Sequence, residues 1–397
     1  MAEGAEPVAQ GRAAAGAEAA ADDGNAVRTL GVVGAGTMGL GIATVAARAG
    51  LEVVVLEPDA AARERAAAKL GSVRVAGEVA ELAECGIVIE AAPEDLDLKR
   101  AIFAELAAVV APDAILATNT SSLSVEALAS TVPDPTRFVG LHFFNPVKAM
   151  ELVEVVVGAR TDDGVAARAE ALARALGKTP IRVADGIGFL ANRCARPYTT
   201  EGLRCAAALD LEPARVDLAC RLVGFPMGPF ELIDLVGADI SLGVGESFFR
   251  QSFGEPRWRP HRTLVQQVAS GRLGRKTGAG FYAYGDDAPG RAPDPEGGGP
   301  DLLTDAARLE ELAGPEAVAV VRWITAQLVN EAAFALEEGI AAEPDIDLAM
   351  RLGYRWPVGP LEIGRRLGFT AVRHRLVGMR EDYGEAYRPA PRLGDFS

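Results

Sequence analysis

From Val27 onward, short unbroken apolar runs alternate with longer stretches of helical periodicity. RTLGVVGAGTMGLGIATVAARAG reads as a buried strand, a glycine turn and a helix, and LEVVVLEPD as a second strand. AARERAAAKL is a short helix, CGIVIEAAPED a third strand, and LKRAIFAELAAVV an amphipathic helix. AILATNTSS, RFVGLHFF and ELVEVVVG continue the series of strands. Unbroken apolar runs of this length suit strands buried on both faces. Their alternation with helices predicts a mostly parallel sheet with helices on both sides, over residues 28–184. From Asp185 the period is helical, and GRKTGAGFYAYG closes this second block at 185–285. The Pro, Gly and Asp content of 286–304 marks a linker, and 305–397 returns to helix. Residues 1–27, rich in Ala and Gly with scattered acids, are expected to form a disordered tail.

The two helical blocks share a pattern. TEGLRCAAALDLEPARVDLACRLVGFPMGPFELID (200–234) matches NEAAFALEEGIAAEPDIDLAMRLGYRWPVGPLEIG (330–364). Asp-Leu-Ala, Gly-aromatic and Gly-Pro-x-Glu recur in the same order, so one helical unit occurs twice. The expected fold is therefore an α/β Rossmann-type dinucleotide-binding domain followed by an all-α C-terminal part whose helical unit is repeated.

Composition narrows the function. With 397 residues and 49% hydrophobic residues, the chain can build more than one core. No apolar stretch is long and charge-free enough to span a membrane. The formal net charge of −15 argues against nucleic acid or an anionic membrane as partner. Cys85, Cys194, Cys205 and Cys220 show no metal-ligand spacing, so no metal is expected. They read as reduced thiols of a cytoplasmic protein.

Two groupings carry candidate chemistry. G-A-G-T-M-G places Gly34, Gly36 and Gly39 at dinucleotide spacing, with Thr37 and Met38 completing the turn. The first glycine allows the tight turn, the second lets backbone approach a pyrophosphate, and the third allows close helix–strand packing. Glu57, at the end of the next strand, is placed to accept hydrogen bonds from a ribose. A 2′-phosphate would meet like charge there, which favours NAD over NADP. Asp59 suits a helix cap better than this role. The second grouping is His142, at the end of RFVGL, with Glu154 in ELVEVVV. Imidazole transfers protons near neutrality, and a buried carboxylate would fix its tautomer. Spacing alone also suits a core histidine beside an edge-strand glutamate.

ATNTSSLSVEAL, GLHFFNPV, MELVEVV and DGIGFLANR resemble motifs of the NAD-dependent 3-hydroxyacyl-CoA dehydrogenases. The resemblance runs from about Arg28 to Gly285, and the repeated unit extends it. It implies oxidation of a 3-hydroxyacyl thioester, or the reverse, with a short acyl chain. It casts His142 as general base and Glu154 as its orienting partner. Ser121 would hydrogen-bond the substrate hydroxyl and Asn192 its oxygen. Glu94, Lys99 and Lys276 would lie at the cofactor, and Asn145 would support the His142 loop. Without the resemblance, Ser121 reads as a helix cap, with Ser122 or Ser124 as alternatives. Glu94 would be a loop acid and Lys99 a solvated lysine. Asn145 would be a turn residue.

One departure stands out. The family usually carries a helix-turn-helix insertion with basic residues after the second strand, and segment 60–85 is short here. Arg63, Arg65, Lys69 and Arg74 remain as phosphate contacts or as a solvated helix face. The thioester could then be carried by CoA or by a carrier protein, and a free hydroxy acid is a further alternative. A non-catalytic NAD-binding module is the competing class. The second helical copy lacks the GIGFLANR stretch and reads as structural. It could cover within one chain the surface through which single-copy members pair, which leaves monomer and homodimer open.

Overall fold

The computed structural model describes residues 28–285 and 296–396. The expected tail and residues 286–295 of the expected linker lie outside them. Two compact units divide between Pro180 and Ile181.

The first unit holds strands β1 (Thr29–Val33), β2 (Glu52–Leu56), β3 (Arg74–Ala76), β4 (Ile87–Glu90), β5 (Ile115–Thr118), β6 (Phe138–Phe143) and β7 (Leu152–Val157). The last strand, β8 (Thr179–Ala184), carries the unit boundary. Among the described residues the sheet order is β3-β2-β1-β4-β5-β6-β7-β8. Pairing is parallel from β3 to β6, and β7 runs antiparallel to β6. Sequence reading missed β3 and β8. β3 has three residues, one of them exposed, and β8 is interrupted by Pro180, so neither shows an unbroken apolar run.

Helices α1 (Thr37–Arg48), α2 (Ala60–Leu70), α3 (Leu96–Val109), α4 (Val125–Ala129) and α5 (Asp163–Ala175) connect the strands. The core on one side of the sheet joins Leu30, Val32, Val55, Ile89 and Val153 to Ile42 and Ala46 of α1 and Leu172 of α5. Parallel pairing has a functional consequence. The ends of β1, β2, β4, β5 and β6 all open on one edge, where such folds place ligands.

The second unit holds α6 (Ala191–Leu209), α7 (Pro213–Leu222), α8 (Pro229–Val236), α9 (Ala238–Gln251) and α10 (Arg262–Ala269). It continues with α11 (Ala306–Ala313), α12 (Ala317–Glu337), α13 (Glu343–Tyr354), α14 (Pro360–Leu367) and α15 (Phe369–Tyr383). The repeat is visible at atomic level. In the first copy Asp217 accepts from the N–H groups of Phe230 and Glu231 at the start of α8 (2.9 and 3.0 Å). In the second copy Asp347 accepts from those of Leu361 and Glu362 at the start of α14 (2.8 and 3.1 Å). Gly228 and Gly359 precede these helices, and a Cβ on either would stand 2.2 Å from the aspartate. The recurring Gly-Pro is thus a steric requirement of the aspartate latch.

The two copies pack through α6 and α12. Buried Arg193 pairs with Glu331 (2.7 Å) and with Glu338 (2.7 Å). Arg257 also pairs with Glu331 (2.8 Å), and the Trp323 indole N–H donates to Glu201 (2.9 Å). No helix among the described residues is long and apolar enough to cross a membrane.

Candidate active site

The glycine turn leaves β1 with Gly34 at φ +97°, a conformation that disfavours any side chain. A Cβ on Gly39 would meet the Gly34 carbonyl oxygen at 1.9 Å, so this glycine lets α1 begin against the turn. A Cβ on Gly36 would meet nothing within 4 Å. Space therefore lies in front of the N-terminus of α1, which has no side-chain cap. Thr37 and Met38 open that helix. Its free N–H groups and the open cradle suit a pyrophosphate. Glu57 follows β2 and already braces the turn, accepting from the N–H groups of Ala35 (3.0 Å) and Asp59 (3.1 Å). Asp59 caps α2, accepting from Ala62 N–H at 2.7 Å.

After β4 the chain builds a buried ionic knot. Lys99 of α3 is 1% exposed and its ammonium donates to Glu90 (2.6 Å) and to the Ala92 carbonyl (3.2 Å). Glu94 lies 3.4 Å from the same ammonium. Glu90, fully buried, also accepts from Thr118 Oγ1 (2.7 Å) and Ala92 N–H (2.6 Å). Lys99 is thus not a solvated lysine. Its protons are directed to protein oxygens, and it acts on the edge of the sheet through Glu94. Glu94 gathers the loop after β5, accepting from Thr120 Oγ1 (2.6 Å), Ser121 N–H (3.0 Å) and the N–H and hydroxyl of Ser122 (3.1 and 2.9 Å). Burial would raise the Glu94 carboxyl. The Thr120 hydroxyl, Lys99 and the serines outweigh it, so its pKa falls below the ordinary value. Ser124, not Ser121, caps α4 (3.1 Å from Ala127 N–H), and the exposed Ser121 stays at the loop tip.

His142 and Glu154 face each other directly in the β6–β7 register. His142 Nδ1 lies 2.6 Å from Glu154 Oε2, with the ring 6% and the carboxylate 0% exposed. The carboxylate accepts the Nδ1 proton, which leaves Nε2 as the basic nitrogen of the neutral ring. Asn119, after β5, accepts from Phe143 N–H at 2.8 Å and ties the His142 strand to the Ser121 loop. Asn145 is exposed and joined to Pro146 by a cis peptide bond.

In the second unit, Asn192 lies in the first turn of α6. The helix is entered through Phe189, buried and at φ +53°, a costly conformation for a bulky residue. Asn192 Oδ1 accepts from the hydroxyl of Tyr354 at 2.8 Å. Tyr354 is the last residue of α13, so the second copy touches the asparagine of the first. Lys276 pairs with Asp239 at the start of α9, 2.5 Å away.

Of the four basic residues in the short segment, two have partners within the protein. Arg63 donates to the Glu57 and Pro58 carbonyls (2.9 and 3.0 Å), and Arg74 pairs with Glu81 (2.5 Å). Arg65 and Lys69 are exposed on α2.

Sequence reading missed Glu90, Thr118, Thr120, Asn119 and Tyr354. Glu90 had a signal, a lone acid closing the apolar run IVI. Tyr354 had none, being 162 positions from its partner.

The model of the 3-hydroxyacyl-CoA dehydrogenase NAD binding domain matches residues 29–73 and 62–186. That of the 3-hydroxyacyl-CoA dehydrogenase C-terminal domain matches twice, at 188–284 and 320–396. The chain is 35% identical to a 3-hydroxyadipyl-CoA dehydrogenase of Escherichia coli K12, over 92% of this chain and 97% of that protein. It is 41% identical to a 3-hydroxybutyryl-CoA dehydrogenase of Mycobacterium tuberculosis, over 66% of this chain and 99% of that protein. The solved structure of a 3-hydroxybutyryl-CoA dehydrogenase from Escherichia coli K12 is also similar, with a TM-score of 0.83 and 33% identity. That likeness covers 93% of this chain and 98% of the other. A nucleotide cradle, a histidine–carboxylate pair on the same sheet edge and a doubled helical unit thus meet in one chain, which belongs to the 3-hydroxyacyl-CoA dehydrogenase family, NAD-dependent oxidoreductases that interconvert 3-hydroxyacyl-CoA and 3-oxoacyl-CoA.

Proposed function

We propose that this chain oxidises a short-chain 3-hydroxyacyl thioester, carried by CoA, in the cytoplasm, with His142 as the base. The observation that carries the reading is the 2.6 Å contact between His142 and Glu154 on the edge that also holds the glycine cradle and Ser121. Bound NAD supplies the hydride acceptor. His142 Nε2 takes the proton of the 3-hydroxyl, and Glu154 stabilises the imidazolium that results. Ser121 Oγ donates to the substrate hydroxyl oxygen, and Asn192 holds the substrate's oxygen through its amide N–H groups. In the reverse direction the imidazolium returns the proton to the forming alkoxide. The four separate, buried cysteines suit a reducing compartment.

Acetoacetyl-CoA with NADH tests the proposal, followed by loss of NADH absorbance. Turnover with an acyl-carrier-protein thioester alone would overturn CoA as carrier. NAD binding without turnover of any thioester would overturn the enzymatic reading.

Two further outcomes are expected. Like charges facing each other cost several kcal/mol, so NADPH should serve on the order of 10²-fold less well than NADH, because its 2′-phosphate meets Glu57. Steady-state kcat/KM with each cofactor checks this. Tyr354→Phe removes one hydrogen bond to Asn192 and should raise KM for the thioester by about 2- to 10-fold, the scale of one such bond. The Kd for NADH, measured by fluorescence titration, should stay unchanged. A change in NADH affinity instead would contradict the role given to this pair.

A further inference from the structure

Where the two helical copies meet, the second unit holds a cavity of about 690 Å³. Arg204, Arg259 and Arg262 of the first copy line it, with Trp323 and Tyr383 of the second. It lies away from the groups assigned above. Its α6 residue, Arg204, follows Asn192 by three helical turns, about 18 Å along the axis.

The cationic wall is built from α6 outward. Arg204 is held by Glu201 (2.7 Å) and donates to the carbonyls of Pro256 and Arg259 (3.2 and 3.0 Å). That grip brings segment 256–262 alongside α6, and with it two further cations. Arg259 lies over the Phe249 ring, 5.5 Å from its centroid, and Arg262 is exposed. Neither pairs with a carboxylate among the described residues. Burial, Arg204 and Arg262 hold the His261 imidazole below its ordinary pKa, so the guanidinium groups carry the positive charge of this wall. The acid on the lining, Glu385, is already paired with Arg380 (2.7 Å).

The second copy adds an aromatic wall. The Trp323 ring lies 4.8 Å from Tyr383 and 5.7 Å from Tyr387, and its indole N–H is fixed on Glu201. Trp323 and Tyr387 are buried, and Tyr383 keeps 47% of its surface exposed. A chain of net charge −15 thus gathers three arginines at one cavity, and only Arg204 has an acid to answer it. A cleft lined by one sign of charge concentrates ligands of the other. Guanidinium forks match the oxygens of a phosphate group, and an open aromatic face stacks a base. A bare anion would leave the rings unused, and an acyl chain would leave the cations uncompensated. The volume suits a small molecule.

We propose that this cavity is a second nucleotide site, which takes a nucleoside diphosphate with its phosphates on Arg259 and Arg262 and its base on Tyr383. It is separate from the glycine cradle, which belongs to the first unit. Its walls come from both copies, so an occupant holds them together.

Photolabelling of the full chain with 8-azido-ADP, followed by peptide mapping, tests the proposal. Label is expected on the peptide carrying Tyr383, in addition to the glycine turn after β1. ADP should displace it at about 10-fold lower concentration than pyrophosphate, the scale of one stacked base. In Arg262→Glu the concentration of probe needed should rise by about 10- to 100-fold, the scale of a hydrogen bond to a charged group. Labelling of the glycine turn should not change in that variant, which controls for its folding. Absence of label at Tyr383 overturns the proposal, and so does label there that Arg262→Glu leaves intact. Displacement by pyrophosphate as effective as that by ADP would make this a plain anion site and overturn the nucleotide assignment.

Discussion

Replacing His142 with glutamine is expected to lower kcat by about 10²–10⁴-fold, the usual contribution of a positioned general base. Glutamine fills similar space and can still donate to Glu154, so β6 and β7 should keep their register. It cannot accept the substrate proton near neutral pH. The cradle for the cofactor belongs to the turn after β1 and to Glu57, which braces that turn through Ala35 N–H. The Kd for NADH should therefore change little. Fluorescence titration and single-turnover rates on the same preparation separate the two quantities. Intact turnover, or a collapse of NADH affinity, would contradict the role assigned to the ring.

Lys99→Met should destabilise the first unit by about 3–5 kcal/mol, the cost of leaving a buried charge without its partner. Glu90 has no access to water. Without the ammonium it keeps only Thr118 Oγ1 and Ala92 N–H as donors. Glu94 would lose its cation at the same time, and with it part of the hold on Thr120, Ser121 and Ser122. A drop in the urea midpoint, read on the transition of this unit, checks the expectation. The double variant Lys99→Met with Glu90→Gln should recover part of the loss, because the orphaned charge is then gone. A change below about 1 kcal/mol would mean that water reaches Glu90 in solution. Weaker binding of substrate and cofactor should accompany the loss, since Glu94 organises the loop that carries Ser121.

The site was legible in the sequence wherever it is local. The three glycines of the turn, the acid closing β2 and the serine run after β5 each follow directly from a strand end. His142 and Glu154 are twelve positions apart, and both could be named as candidates. Their contact required that β7 turn back on β6 in a register that sets them opposite. Spacing alone favoured a core histidine. Lys99 shows the opposite case. Its position in an amphipathic helix suggests a solvated or ligand-facing charge, and the fold buries it against Glu90. The pattern of polar and apolar residues cannot distinguish a buried ion pair from a solvated one, because both partners are polar in either case.

The amino-acid order by itself determined the parallel sheet, the nucleotide cradle, the doubled helical unit and the two side chains of the proton-transfer pair. Each is written in short-range periodicity or in a motif of a few residues, where backbone geometry is dictated by near neighbours. Only the tertiary structure decided that Arg193 meets Glu331 and that Tyr354 meets Asn192. These partners lie more than a hundred positions apart, and their meeting depends on how α6 packs against the second copy. No local preference encodes that packing. It follows from burying the apolar faces of both copies together, which then fixes which charges are paired.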